Sequence, residues 1–282
     1  MDVSTLDAII ASFAAGTLVP YFGPGVLSLC ETPSLLPADT AQLAARLVAR
    51  SPVPHKLRGN LSGAAQFIEN FKHRKTVNAA VTEAFRVDAE PTSLHRIFLC
   101  HSPVRLAVHA WYDDLPQRAM AARDDWYMAQ GVSQAEHRDG WVHFFDRKGA
   151  RLDASSLPAP DSPTLLLYQP LGSVWPERNY LVSDSDFVEV LTEIDIQTPI
   201  PEPVQQLRAG RNFLFLGCRF LSQLERQFAR QIMKRSSETH WALLPEELSR
   251  NEARFLGEHN IARIEMRLTD FVQAMESQRT TC

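Results

Sequence analysis

The chain has 282 residues, 45% of them hydrophobic and 22% charged, which supplies core for one large domain or for one domain carrying an insert. Its net charge of −4 and pI near 6.1 provide no global positive field to draw it to nucleic acid or to an anionic membrane surface. Asp2 and Asp7 stand where a basic leader would be, and no apolar run approaches the roughly 18 residues needed to span a bilayer, so a cytoplasmic protein is expected.

Taken in order, Leu6, Ile9, Ile10 and Phe13 recur at helical spacing and Gly16 ends that helix. Leu18-Val19-Pro20-Tyr21-Phe22-Gly23-Pro24-Gly25-Val26 reads as a buried strand running into a glycine-flanked turn. Glycine lets a backbone approach a ligand closely, and a helix starting after such a turn aims free N–H groups at an anion. An ordinary strand-ending turn has the same appearance, so this stretch alone does not decide. Beyond the proline-bounded loop 32–37, residues 38–50, 62–71 and 76–85 follow helical periodicity. The basic cluster Lys72-His73-Arg74-Lys75 between the last two reads as a solvated turn.

Pro91 and Thr92 open a short helix carrying His95, and Val104 to Val108 has the β-branched, apolar character of a second strand ending at Trp111-Tyr112-Asp113-Asp114. Residues 117–160 are irregular, with aromatic segments alternating with charges, and read as an insert or lid. Thr164 to Tyr168 is a continuous apolar run suited to a strand buried on both faces. Ser183-Asp184-Ser185-Asp186 caps a helix reaching about Leu191. From Pro203 onward, strands at 213–216, 239–244 and 261–266 alternate with helices at 203–209, 221–234, 246–256 and on to Met275. The pattern predicts an α/β protein, a three-layer Rossmann-like parallel sheet whose ligands sit at the carboxyl ends of the strands.

Four cysteines (Cys30, Cys100, Cys218, Cys282) have no Cys-x-x-Cys pair and nine histidines no His-Glu-x-x-His, so buried reduced thiols and no metal are expected. A Gly-x-x-x-x-Gly-Lys loop and a Gly-x-Ser-x-Gly elbow are absent too.

The order of features resembles the SIR2-like families, the prokaryotic relatives of the NAD-dependent sirtuins. Val19-Pro20-Tyr21-Phe22-Gly23-Pro24-Gly25-Val26 is similar to the Val-Pro-Phe-x-Gly-Ala-Gly-Val opening of the family. His95 precedes the second strand, Tyr112-Asp113 falls where the family has Thr-Thr-Asn-Tyr-Asp, and Leu167 to Val174 stands where it has Lys-Leu-His-Gly-Ser. The tail from Phe213 through Gly217 to Leu243 resembles its closing βαβα half. The resemblance implies one SIR2-like domain over 1–282, and nucleotide contacts for NAD or ADP-ribose at Gly23, Pro24, Gly25, Val26, Tyr112, Asp113 and Gly217.

The departures from the family are chemical. Its Asn in the second motif and its His before the glycine of the third handle and activate the ribose as NAD is cleaved; the matching positions here are Trp111 and Leu171. Tryptophan has no acceptor and leucine no exchangeable proton, so neither serves as a base. Pro24 removes one N–H from the turn. His137 or His143 of the insert would have to stand in. Two readings compete: a catalytically degenerate SIR2-like protein that needs no cofactor and acts as an accessory or regulatory factor for another cytosolic protein, or an NAD-consuming or ADP-ribose-handling enzyme with displaced catalytic groups. For the first, Trp126, Tyr127, Trp141 and Phe144 are the candidate partner-binding residues, the same rings being able to form the core of the insert instead. The chain also resembles SIR2-like accessory proteins found beside nitrogenase, with no single motif to quote for it, which makes nitrogenase one expected partner.

Overall fold

The computed structural model describes residues 3–32, 35–133, 140–159, 161–193 and 200–280. A nine-stranded sheet runs in the order β11 (Ile261–Ile264), β10 (His240–Leu243), β9 (Asn212–Leu216), β1 (Leu18–Phe22), β2 (Leu106–His109), β6 (Leu165–Gln169), β3 (Trp126–Gly131), β4 (Val142–Asp146) and β5 (Arg151–Leu152). The first seven in that spatial order are parallel, and β4 and β5 close one edge antiparallel. A separate small hairpin pairs β7 (Gly172–Ser173) with β8 (Asn179–Tyr180). All six predicted strands are present, within two residues of their expected ends.

The seventh parallel strand corrects the sequence reading. Residues 126–131 are no irregular lid: β3 lies between β6 and β4, and all six of its residues are buried. After the short α6 (Leu115–Ala119), the chain therefore continues the main sheet through β3, β4 and β5.

Alternation along the strands divides the core between two faces. Val19 and Tyr21 look to one face, against α8 (Glu202–Arg208), α9 (Gln223–Met233) and α10 (Arg250–Glu258). Leu18 and Phe22 look to the other, against α1 (Val3–Ala14), α5 (Ser93–Leu99) and α11 (Leu268–Thr280). A third cluster joins α2 (Thr40–Arg50), α3 (Leu61–Lys72) and α4 (Arg74–Ala84) to Trp111, Tyr112 and Tyr180, forming a helical cap beside the sheet. Among the described residues no helix is long and apolar enough to cross a membrane.

Pro20 sits inside a central strand, which its missing N–H usually forbids. Gly23 N–H donates to Leu216 O of β9, and since alternate residues turn the same way, Pro20 directs its nitrogen towards β2. There the β1–β2 ladder begins only at Tyr21↔Val108, one residue beyond the proline.

Arg74 anchors the cap. The basic cluster 72–75 is no solvated turn at this residue: Nη1 of Arg74 lies 2.8 Å from Asp186 and 3.1 Å from Glu69, and Nη2 donates to Tyr180 O. Asp186, in the first turn of α7 (Asp184–Glu193), also accepts the Val182 and Ser183 N–H groups at 2.8 Å. The predicted cap of α7 thus doubles as the attachment point of α4.

Candidate functional site

The chain runs outward in opposite directions from β1: to β2, β6 and β3 on one side, and to β9, β10 and β11 on the other. A crevice at the carboxyl ends of strands flanking such a switch point is where open α/β sheets bind ligands. Here a cleft of about 430 Å³ opens over the ends of β1, β2, β6 and β9, walled on its far side by the start of α3.

Its floor carries Tyr21, Gly23, Pro24, Trp111 and Leu171, so the topology brings together three regions that the sequence keeps far apart. Trp111 is buried and fixed, its Nε1 donating to Pro37 O at 2.8 Å while its ring packs against Phe85 and Tyr112. Tyr112 also borders the cleft, with its hydroxyl donated inward to Leu181 O at 2.7 Å. Among the described residues no histidine lines the cleft. Asn60 does, as the N-cap of α3 whose Oδ1 accepts the Gly63 N–H at 3.0 Å. His143 stands on β4 with Nδ1 2.5 Å from Glu177, while His137 lies outside the described residues.

The glycine turn departs from the anion-cradle expectation. Gly23 N–H donates to Leu216 O at 2.8 Å and Gly25 N–H to Gly217 O at 2.9 Å; Pro24 has none, and Val26 N–H bonds back to Gly23 O at 3.2 Å. Every amide from Gly23 to Val26 is absent or already used. The turn leads into a six-residue 3-10 segment, Pro24–Leu29, instead of an α-helix. The glycines serve close packing between loops: a Cβ on Gly217, at φ +64°, would meet Val26 N at 2.4 Å, and one on Gly23 would meet Gly217 O at 2.6 Å. Val26 and Gly217 are not on the cleft surface at all.

Asp113 is likewise behind the wall. It is 2% exposed, its Oδ1 accepts the Leu115 N–H at 3.1 Å, and Oδ2 lies 3.1 Å from His109 Nε2, in ion-pair range without hydrogen-bond alignment. Burial opposes the charged carboxylate, but His109 and the Leu115 N–H hold it below the usual carboxylate range. Sequence reasoning misses His109, which the β2–Asp113 spacing of four residues places against the carboxylate.

The remaining cleft chemistry comes from the β9–α9 loop. Cys218 is buried and burial pushes its thiol up, away from the thiolate a nucleophile needs. Arg219 is spent on Glu252, at 2.8 and 2.9 Å, with Glu246 at 3.7 Å. Glu225 closes a capping box with Ser222, accepting the Ser222 N–H at 2.8 Å, and burial raises its carboxyl pKa.

The four predicted partner residues divide. Trp126 and Tyr127, each 5% exposed, are core residues of β3, because a strand hydrogen-bonded on both sides and covered on both faces leaves its rings no route to solvent. Trp141 and Phe144 are half-buried against the same core.

A family model described as the SIR2-like domain matches residues 105–264, more than half of the chain. The chain belongs to the SIR2-like family. The match begins just before β2, and the structure adds β1 to that domain by setting it between β2 and β9. Within the SIR2-like sheet, the cleft therefore occupies the switch point. No curated protein matched the chain.

Proposed function

We propose that this SIR2-like protein does not turn over NAD and works as an accessory or regulatory factor that binds another protein. The observation that carries the reading is the occupied glycine turn: with the Gly23 and Gly25 amides bonded to β9 and the residue after it, Pro24 lacking its own and Val26 bonded within the turn, no donor in that turn is left for a pyrophosphate. Trp111 and Leu171 on the cleft floor supply no base, and Arg219 is neutralised by Glu252. Protein incubated with NAD for hours should leave it intact, with no nicotinamide detected by chromatography. Steady nicotinamide release that vanishes in Gly23→Val would reverse the reading in favour of an enzyme with displaced groups.

Trp141 and Phe144 are the remaining candidates for the partner surface, and nitrogenase remains a candidate partner on resemblance alone. Native protein recovered from its own cytosol by affinity capture should carry a stoichiometric partner, and Trp141→Ala should release it, with a melting-temperature loss no larger than that of a half-buried ring.

A further inference from the structure

The cleft is lined by rings and carries one carboxylate, Glu225, that forms no direct ion pair with a described residue. Tyr21, Trp111, Phe187, Phe220 and Phe228 surround it, with Leu171 and Leu224 between them. Glu225 forms no ion pair with any described residue; its carboxylate is held by Ser222. The two nearby guanidiniums are turned elsewhere, Arg219 to Glu252 and Arg226 to the Phe220 and Leu221 carbonyls at 2.5 and 2.8 Å. Of the two charged residues lining the cleft, Arg219 is committed to Glu252 and Glu246, and Glu225 is the one left without an ion pair. The Tyr21 hydroxyl makes no hydrogen bond to any described residue, although its carbonyl accepts from Cys218.

We infer that the cleft is a binding site for a small organic cation, an alkyl or aryl ammonium, with the aromatic walls facing its apolar body and Glu225 and the Tyr21 hydroxyl its charged or polar end. Aromatic faces attract cations through the negative face of the ring, and the attraction grows when water is excluded. A cavity of about 430 Å³ is in the range that encloses small ligands. The same features disfavour a phosphate, since Arg219, the one cation among the described residues lining the cleft, is paired with Glu252, and the turn offers no free amide. The inference rests on the reading that the cleft no longer serves NAD.

Choline and its neutral carbon isostere 3,3-dimethylbutan-1-ol, which share shape and differ in charge, separate the cation from simple apolar filling in calorimetric titrations. Choline should bind at least tenfold more tightly than the alcohol. Glu225→Gln should remove most of that difference with its melting temperature kept, because a glutamine at this position still accepts the Ser222 N–H. Phe187→Leu, which leaves the capping box untouched, should weaken choline severalfold. Equal binding of the two ligands, no saturable binding of either, or a Glu225→Gln variant that binds choline like the parent would each overturn the cation site. NAD titrated in parallel tests the underlying reading separately: NAD cleavage overturns both, whereas intact NAD beside unbound choline overturns the cation assignment alone.

Discussion

His240 uses its Nδ1 lone pair to accept the buried Phe213 N–H at 3.0 Å, so the neutral ring is the form that fits, with Nε2 facing Ser236. Burial lowers its pKa from 6.5 to about 4, and burial lowers that of His95, which packs against Phe22 and His109, to about 3. Both folded values lie below the unfolded one. Between pH 6.5 and 4 the unfolded chain therefore takes up protons that the folded protein refuses, and stability falls as the pH is lowered through that window. Two such histidines give a slope of roughly 2.7 kcal/mol per pH unit at most. Urea titrations at pH 7, 6 and 5 should show it, and His240→Gln should flatten the curve. A midpoint that does not move between pH 7 and 5 would refute the assignment of these rings as neutral.

Arg74 and Asp186 join two elements 112 positions apart, α4 of the cap and α7 of the sheet layer. Asp186 is 2% exposed, so Arg74→Ala leaves a buried carboxylate facing no cation, which costs about 3 to 5 kcal/mol. Arg74→Lys should recover only part of this, because one ammonium cannot reach Asp186, Glu69 and the Tyr180 carbonyl with the fixed fork of a guanidinium. Chemical denaturation of both variants measures the loss. Elements also show where the sequence can be read. The last βα units are legible because apolar runs and helical periods alternate cleanly there. Periodicity alone starts α10 at Glu246, whereas the Ser249-x-x-Glu252 capping box places its first residue at Arg250, a signature that stands in the sequence itself. β3 escapes the sequence for a different reason. Trp126-Tyr127-Met128-Ala129-Gln130-Gly131 opens on two strand-forming aromatics but has no β-branched residue and ends in a buried glutamine and a glycine, so its local signal is weak; its place is decided by β6 and β4.

At the scale of the whole molecule, the N-terminal strand is the centre of the sheet. β1 pairs with β9 over five residues, although the two lie almost two hundred residues apart. Neither half can complete its core alone, since Val19 and Tyr21 share one cluster with Phe213 and Phe215. Unfolding should be a single transition, coincident by circular dichroism and tryptophan fluorescence, and a fragment of residues 201–280 should stay unfolded when made alone. Two separated transitions would contradict a shared core. Trp111 and Leu171 are foreseen near the glycine turn only through the resemblance, whose second and third motifs they occupy, and the strand order then brings those chain ends together. What the turn does with its amides cannot be foreseen, because its partners, Leu216 and Gly217, come from the far end of the chain.

Seen as a seam, the contact between the two loops limits what side-chain changes on the cleft floor can alter. Trp111→Asn with Leu171→His would restore two side chains to the cleft floor, but the donors of Gly23 and Gly25 would remain stitched to Leu216 and Gly217. Gly217, held at φ +64° with no room for a Cβ, keeps that stitching closed from the other side. If the protein has given up a nucleotide, as proposed above, side-chain replacement is reversible one codon at a time, whereas backbone pairing between distant strands is not.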